Sequence, residues 1–319
     1  MTTPSPLPAK PAGFLDAFSS LARLPRAFWF VVGAFVIESM AYFGILTLMT
    51  TYLSTDLGWS DQWSGLTVSL FTMLVTLFML GVGSYAESFG LRRAVLFALL
   101  ISTLGRVLYS GAANLPDGTL VAVAIIGSLV IVASGSGILQ PVCYSGVKQY
   151  TDSRTSSMGY GLIYAIMNLG IVGVGALSSW IRPAVQKIKD GTVDASASPM
   201  TESLAGLTGS GVQAVNWVCT GITAFTLVWF LLLMNRRVEA NKLRPDRAEE
   251  MRKTDQTPLG ARLRRYFAEG PFTNPRFIFF IFMLLPVRTL FAHQWLTMPQ
   301  YILRAYPEGI RSEARRVGK

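Results

Sequence analysis

A single carboxylate, Glu38, sits about midway along an apolar stretch that runs from Ala27 to Leu53. At bilayer depth a carboxylate costs free energy unless it faces a cavity or a partner, so such a group marks an ion, proton or solute path by default. Two roles fit the residue. Glu38 is either a proton carrier on a transport path or a structural acid bonded to a neighbouring helix, with Arg106 as its candidate partner. Arg106 lies toward the end of its own apolar stretch, where a long basic side chain can also snorkel to the interface. No nucleophile, base and orienting group recur at recognisable spacing, so enzymatic turnover is not expected. Cys143 and Cys219 fall in apolar stretches and read as small packing residues, and no metal-ligand spacing occurs.

The elements that hold Glu38 follow from composition. Of the 319 residues 51% are hydrophobic and only 14% charged, and the mean hydropathy is +0.43. So few charges are unusual in a soluble domain. The apolar residues form seven blocks, near 27–53, 62–83, 94–112, 119–145, 159–181, 211–234 and 277–302. Each is about the roughly 20 residues that a helix needs to cross hydrocarbon. The first is too long for the core of a signal peptide and lacks a convincing cleavage site, so it is expected to remain as a helix.

A net charge of +10 would suggest nucleic acid in a soluble chain, but its placement has another cause. With the amino terminus inside, eighteen basic residues of the tail and alternate loops lie on the cytoplasmic face, against Arg182, Lys187 and Lys189 on the other. That bias sets the orientation of a multi-pass membrane protein with a cytoplasmic amino terminus. Nucleic-acid binding is not expected.

The chain divides into a Pro-rich tail (1–26), a six-helix lobe (27–234), a charged cytoplasmic linker (235–276), a seventh helix (277–303) and a second tail (304–319). The Ser-, Ala- and Gly-rich stretch 182–210 reads as a flexible outward loop. The linker holds eleven basic and six acidic side chains. Its final part, GARLRRYFAEGPF, is either an amphipathic helix on the anionic inner leaflet or a solvated connection.

Six helices, a charged linker and a further helix resemble the layout of the major facilitator superfamily, whose two six-helix halves flank a midplane site. The stretch Gly83 to Arg93, GSYAESFGLRR, resembles that superfamily's G-x-x-x-D-x-x-G-R-R/K signature through Gly83, Glu87, Gly90, Arg92 and Arg93, with Glu where Asp is usual. Two glycines allow a tight turn between packed helices, and the acid and arginines suit a cytoplasmic charge latch that biases inward and outward states.

Three further segments resemble the proton-dependent oligopeptide transporter branch. They are ESMAYFG (38–44) for its first-helix E-R-F-x-Y-Y-G, GSGILQP (135–141) for its fourth-helix G-x-G-x-x-K-P, and IYAIMNLG (163–170) for its fifth-helix F-Y-x-x-I-N-x-G. The resemblance covers most of residues 27–181. In that branch the first helix carries E-x-x-E-R for proton coupling, and the fourth-helix lysine helps hold the peptide carboxylate. Here Phe35 replaces the first acid, Ser39 the arginine and Gln140 the lysine, so of those charges only Glu38 carries over.

By the same resemblance, Gln140 takes a substrate-binding position, and Tyr42, Tyr164 and Asn168 lie on helices that line the family's cavity. Those three either orient a solute by hydrogen bonds or join neighbouring helices. LPVRTLFAHQW (285–295) resembles the aromatic-rich seventh helix ending in Glu-Gln, which puts His293, the chain's one histidine, at a proton-linked glutamate. Histidine titrates near physiological pH, so it suits proton coupling, with packing as the plainer role. Arg288 suits a substrate carboxylate, or else an ion pair with Glu38.

The expectation is therefore an all-α, polytopic protein with a major-facilitator-type amino-terminal lobe and the first helix of a second lobe. It would be a monomeric, proton-coupled carrier of a small, peptide-like solute in the plasma membrane, a bacterial inner membrane by preference. No cofactor or metal is expected, the proton gradient being the energy source. An efflux carrier for organic or drug-like solutes and a non-transporting membrane sensor or scaffold are the alternatives. The last ten residues, IRSEARRVGK, resemble translated sequencing-adapter read-through, and most of a second lobe is expected to be missing from the chain.

Overall fold

A computed structural model describes residues 21–86, 90–116, 118–152, 155–192 and 198–240, with isolated positions between 274 and 305. All regular structure among them is helical. The helices are α1 (Arg26–Thr51), which continues through a wide π turn at Tyr52–Asp56, α2 (Asp61–Ala86), α3 (Leu91–Gly111), α4 (Gly118–Tyr150), α5 (Ser156–Lys189), the short α6 (Pro199–Leu207), α7 (Gly211–Leu233) and the five-residue α8 (Arg236–Ala240). Six of them, α1 to α5 and α7, are long and apolar enough to cross a membrane. The 33 residues of α4 and 34 of α5 reach about 50 Å at 1.5 Å per residue, so both pass beyond a core of roughly 30 Å.

The helix ends have local causes. Ser210 caps α7, its hydroxyl accepting from the Gln213 N–H at 3.0 Å. Gly90 precedes α3 with φ +85° and ψ 139°, a conformation open to glycine, and so turns the chain sharply out of the loop after α2. The stretch 182–210 is not the irregular loop that its composition suggests. Helix α5 runs on to Lys189 through Pro183, and α6 occupies nine further residues, Pro199–Leu207. Lys187 and Lys189 in the last turn of α5 favour that extension by facing the negative end of the helix dipole. Most of the linker, the seventh span and the second tail lie outside the described residues.

Helix α4 is the central strut, packed on α3, α2 and α1. Its glycines set how close the neighbours come. A Cβ on Gly135 would collide with the Ser102 hydroxyl and stand 2.8 Å from the Ala98 carbonyl oxygen, both on α3, and a Cβ on Gly137 would stand 2.5 Å from Phe78 Cβ on α2. Small residues at such crossings let backbones approach where no hydrophobic drive exists between helices.

Two apolar clusters form the interior. One gathers residues around Tyr52, Phe71, Tyr109 and Ile125, and the other gathers Phe28, Val95, Leu139 and Phe230. Between them lies a buried polar layer with Glu38, Ser39, Ser102, Arg106, Ser136 and Thr223. The candidate site is in that layer.

Candidate functional site

Four positions of α1 spaced for one helix face, Phe35, Glu38, Ser39 and Tyr42, point into a cavity of about 100 Å³, together with Phe43. Helix α4 adds Ser136, Leu139, Gln140 and Tyr144, and α5 adds Tyr164 and Met167. The structure thus brings Glu38, Tyr42, Gln140 and Tyr164 around one space. It does not place Asn168 there. That side chain donates to the Tyr164 carbonyl one turn back on α5 at 2.8 Å, a bond within its own helix.

Glu38 faces two ways. It lines the cavity, and its carboxylate is gripped from behind by Arg106 of α3, which does not line it. Arg106 Nη1 donates to Oε2 at 2.9 Å, and Nη2 lies 2.7 Å from Oε1, an ion pair carrying one charge-assisted hydrogen bond. Arg106 Nη1 also donates to the Thr223 hydroxyl of α7, which in turn donates to the Cys219 carbonyl at 3.1 Å. The arginine does not snorkel to the interface. It is 0% exposed, because only the pairing with Glu38 can offset the cost of holding its charge at this depth.

A polar seam extends this pair toward the carboxyl end of α3, between α3 and α7. Ser110 and Thr220 hydroxyls lie 3.0 Å apart. Gln213 Nε2 donates to the Ser110 carbonyl at 2.9 Å and to Asn114 Oδ1 at 3.0 Å. Ser210, in turn, donates to Asp56 at the end of the π turn. Arg106 and Ser110 sit four residues apart on one face of α3, and Asn114 follows in the 3-10 turn Ala112–Asn114.

In the segment 83–93, Gly83 lies within α2, Gly90 makes the turn into α3, Arg93 is exposed, and Glu87 lies outside the described residues. Among the described residues, the carboxylate that meets the start of α3 belongs to Glu239 of α8. It accepts from the Arg92 backbone N–H at 3.0 Å, satisfying a free donor at the positive end of α3. Arg92 Nε donates to the Met234 carbonyl, and the Tyr150 hydroxyl donates to the Glu239 carbonyl at 3.2 Å. The start of the linker is thereby fastened to α3 and α4.

His293 and Arg288 lie outside the described residues. Reading the sequence missed Thr223, Ser136, Tyr144 and Glu239. Ser136 and Tyr144 were accessible in principle, since each is four residues from Gln140 on the same face of α4. Thr223 and Glu239 give no comparable signal. Among the described residues no three His, Cys, Asp or Glu side chains gather as metal ligands, and Cys143 and Cys219 are buried free thiols.

Comparison with known proteins places this arrangement. A "Peptide transporter family 1" protein of Drosophila melanogaster is 28% identical over 151 residues, 46% of this chain and 20% of that protein. A solved bacterial homologue of the human drug peptide transporters aligns with a TM-score of 0.54 at 19% identity, covering 67% of this chain and 42% of that one. The tetrameric PepTSo2 aligns at 0.58 and 16% identity, covering 87% and 62%. A bacterial homologue of the human lysosomal transporter Spinster, inward-facing and unoccupied, aligns at 0.55 and 16%, covering 72% and 52%. These identities establish likeness of fold, and the chain spans a fifth of its curated relative's length and under half of the first of these structures. The family model of the Major Facilitator Superfamily matches residues 31–304. That match runs through all six long helices and the polar layer that joins them, and the chain belongs to the Major Facilitator Superfamily.

Proposed function

We propose that this chain supplies the amino-terminal lobe of a proton-coupled secondary transporter. The protein moves a small, peptide-like solute across the plasma membrane, with its amino terminus in the cytoplasm. The observation that carries this reading is the double contact of Glu38, whose carboxylate borders the cavity while pairing with Arg106. The peptide-transporter names of the relatives favour the solute class.

The coupling follows from charge balance. With Glu38 ionised, Arg106 is neutralised and α1, α3 and α7 are tied together through the pair and Thr223. A proton arriving on Glu38 from the cavity removes its charge and leaves the Arg106 guanidinium without a counter-ion. A buried charge so exposed is costly, so protonation favours a helix arrangement that relieves it. Two states that differ in this way are populated according to proton supply on each side. The lobes then rock about the midplane site, with Arg288 and His293 contributing from the seventh span and Glu239 holding the linker on the cytoplasmic corner.

The test is Glu38→Gln in the full-length protein reconstituted in vesicles, with a dipeptide library as probe. Glutamine keeps shape and a hydrogen bond but takes up no proton. Expected is loss of gradient-driven accumulation with counterflow exchange retained. Accumulation at the original rate and pH dependence would remove the coupling role.

A further inference from the structure

The cavity presents its lobe with one sign of charge. Among its lining residues Glu38 is the one carboxylate and none is Lys, Arg or His, and Arg106, which pairs with it, sits behind the carboxylate and does not line the cavity. A solute in the cavity therefore meets the negative end of a buried charge pair. Five of the eleven lining side chains are aromatic: Phe35, Tyr42, Phe43, Tyr144 and Tyr164. Aromatic faces carry negative quadrupole charge and attract cations, most strongly out of water. Tyr144 stands with Phe35 and Tyr160 at ring-centroid distances of 5.4 and 6.1 Å, so this wall is held in place by ring packing. The Ser136 hydroxyl, on a residue 3% exposed, lines the same space with no hydrogen-bond partner among the described residues. It is open to accept a bond from an N–H donor. At about 100 Å³ the space is well below the roughly 300–1,000 Å³ of sites that enclose a drug-sized ligand, and it suits a head group alone.

We propose that this lobe binds the ammonium end of its solute: the cavity is a subsite for a protonated primary amine flanked by an aromatic or apolar group, not for a carboxylate. The assignment rests on the transport reading above and adds to it which end of the solute this lobe holds. Gln140 and Ser39 are uncharged in this wall, so a carboxylate here would face Glu38 with no cation lining the cavity, Arg106 being held behind Glu38.

The experiment compares three forms of one probe on the purified full-length protein at pH 7. They are phenylalanyl-alanine amide, a cation, the free dipeptide, a zwitterion, and N-acetyl-phenylalanyl-alanine, an anion. Binding is read by calorimetric titration and uptake in vesicles. The amide is expected to bind about tenfold or more tighter than the acetylated acid, the size of a desolvated cation–aromatic contact. Gln140→Lys, which puts an ammonium in the cavity, is expected to narrow or reverse that order. Saturable binding in which the acetylated acid equals or exceeds the amide would overturn the head-group assignment while leaving transport intact. No saturable binding and no uptake of any of the three would overturn both readings. The comparison of probes needs no variant, so a misfolded Gln140→Lys leaves the test decisive.

Discussion

A carboxylate in an apolar run is conspicuous because so few residue types are expensive at that depth, and this made Glu38 legible from the sequence. Its partner was legible only as one of two roles for Arg106, since sequence does not say whether a long basic side chain near a helix end turns inward or toward the headgroups. The structure decides it by geometry, with the Arg106 guanidinium turned inward and paired with the Glu38 carboxylate. Thr223 was hidden because a threonine in a membrane helix ordinarily bonds its own preceding turn, which Thr223 also does. Arg106→Leu leaves Glu38 buried without its cation and is expected to cost about 3–5 kcal/mol of stability, with a fall of several degrees in the apparent melting temperature in detergent. Pairing it with Glu38→Gln removes the stranded charge and should recover more than half of that loss. Additive losses in the double variant would mean that the two side chains do not act as a pair.

Helices were the most readable elements, because a crossing segment must satisfy its own backbone and so announces itself by length and hydropathy alone. All six blocks of the first lobe became helices, with ends shifted by up to eight residues, the largest at the end of α5. The stretch after the fifth block was misread because Ser, Ala and Gly signal loops in water. The dipole-favoured lysines at the end of α5 and the Pro at the first position of α6 instead support helix there. Close packing was legible only as the glycines of the 135–141 segment, without their partners. Gly135 and Gly127 separate the effects of propensity and packing, since both lie in α4 but only Gly135 has a neighbour in the way, Gly127 having nothing within 4 Å of a built Cβ. Gly135→Leu should force α3 away from α4 and cost about 1–3 kcal/mol or more, with a lower yield of monodisperse protein. Gly127→Leu should be neutral or stabilising. Equal outcomes by size-exclusion chromatography and thermal unfolding would refute the close α3–α4 crossing.

At the scale of the whole molecule, burial is unevenly shared among the helices. In the most apolar window of α2 and of α5 only 22% of residues are buried, against 39–56% in α1, α3, α4 and α7. Lipid can cover apolar faces anywhere, so exposure alone does not say what lies against them. Their position does. Helix α5 supplies part of the cavity wall, whereas α3 supplies none of it, and a carrier that rocks about a midplane site must have its second body facing that wall. Val172 on α5 is 67% exposed and Leu104 on α3 is 55% exposed, which makes them a matched pair of apolar surface positions. Spin labels at each, in the full-length protein in vesicles, distinguish protein from lipid contact through collisions with dissolved oxygen, which concentrates in the acyl region. On the proposed cycle, in which the body opposite α5 moves, collisions at position 172 are expected to be several-fold fewer than at 104 and to change when a proton gradient is imposed. Equal collision rates that ignore the gradient would mean that lipid covers both faces, and the rocking of two lobes about the Glu38 layer would lose its footing.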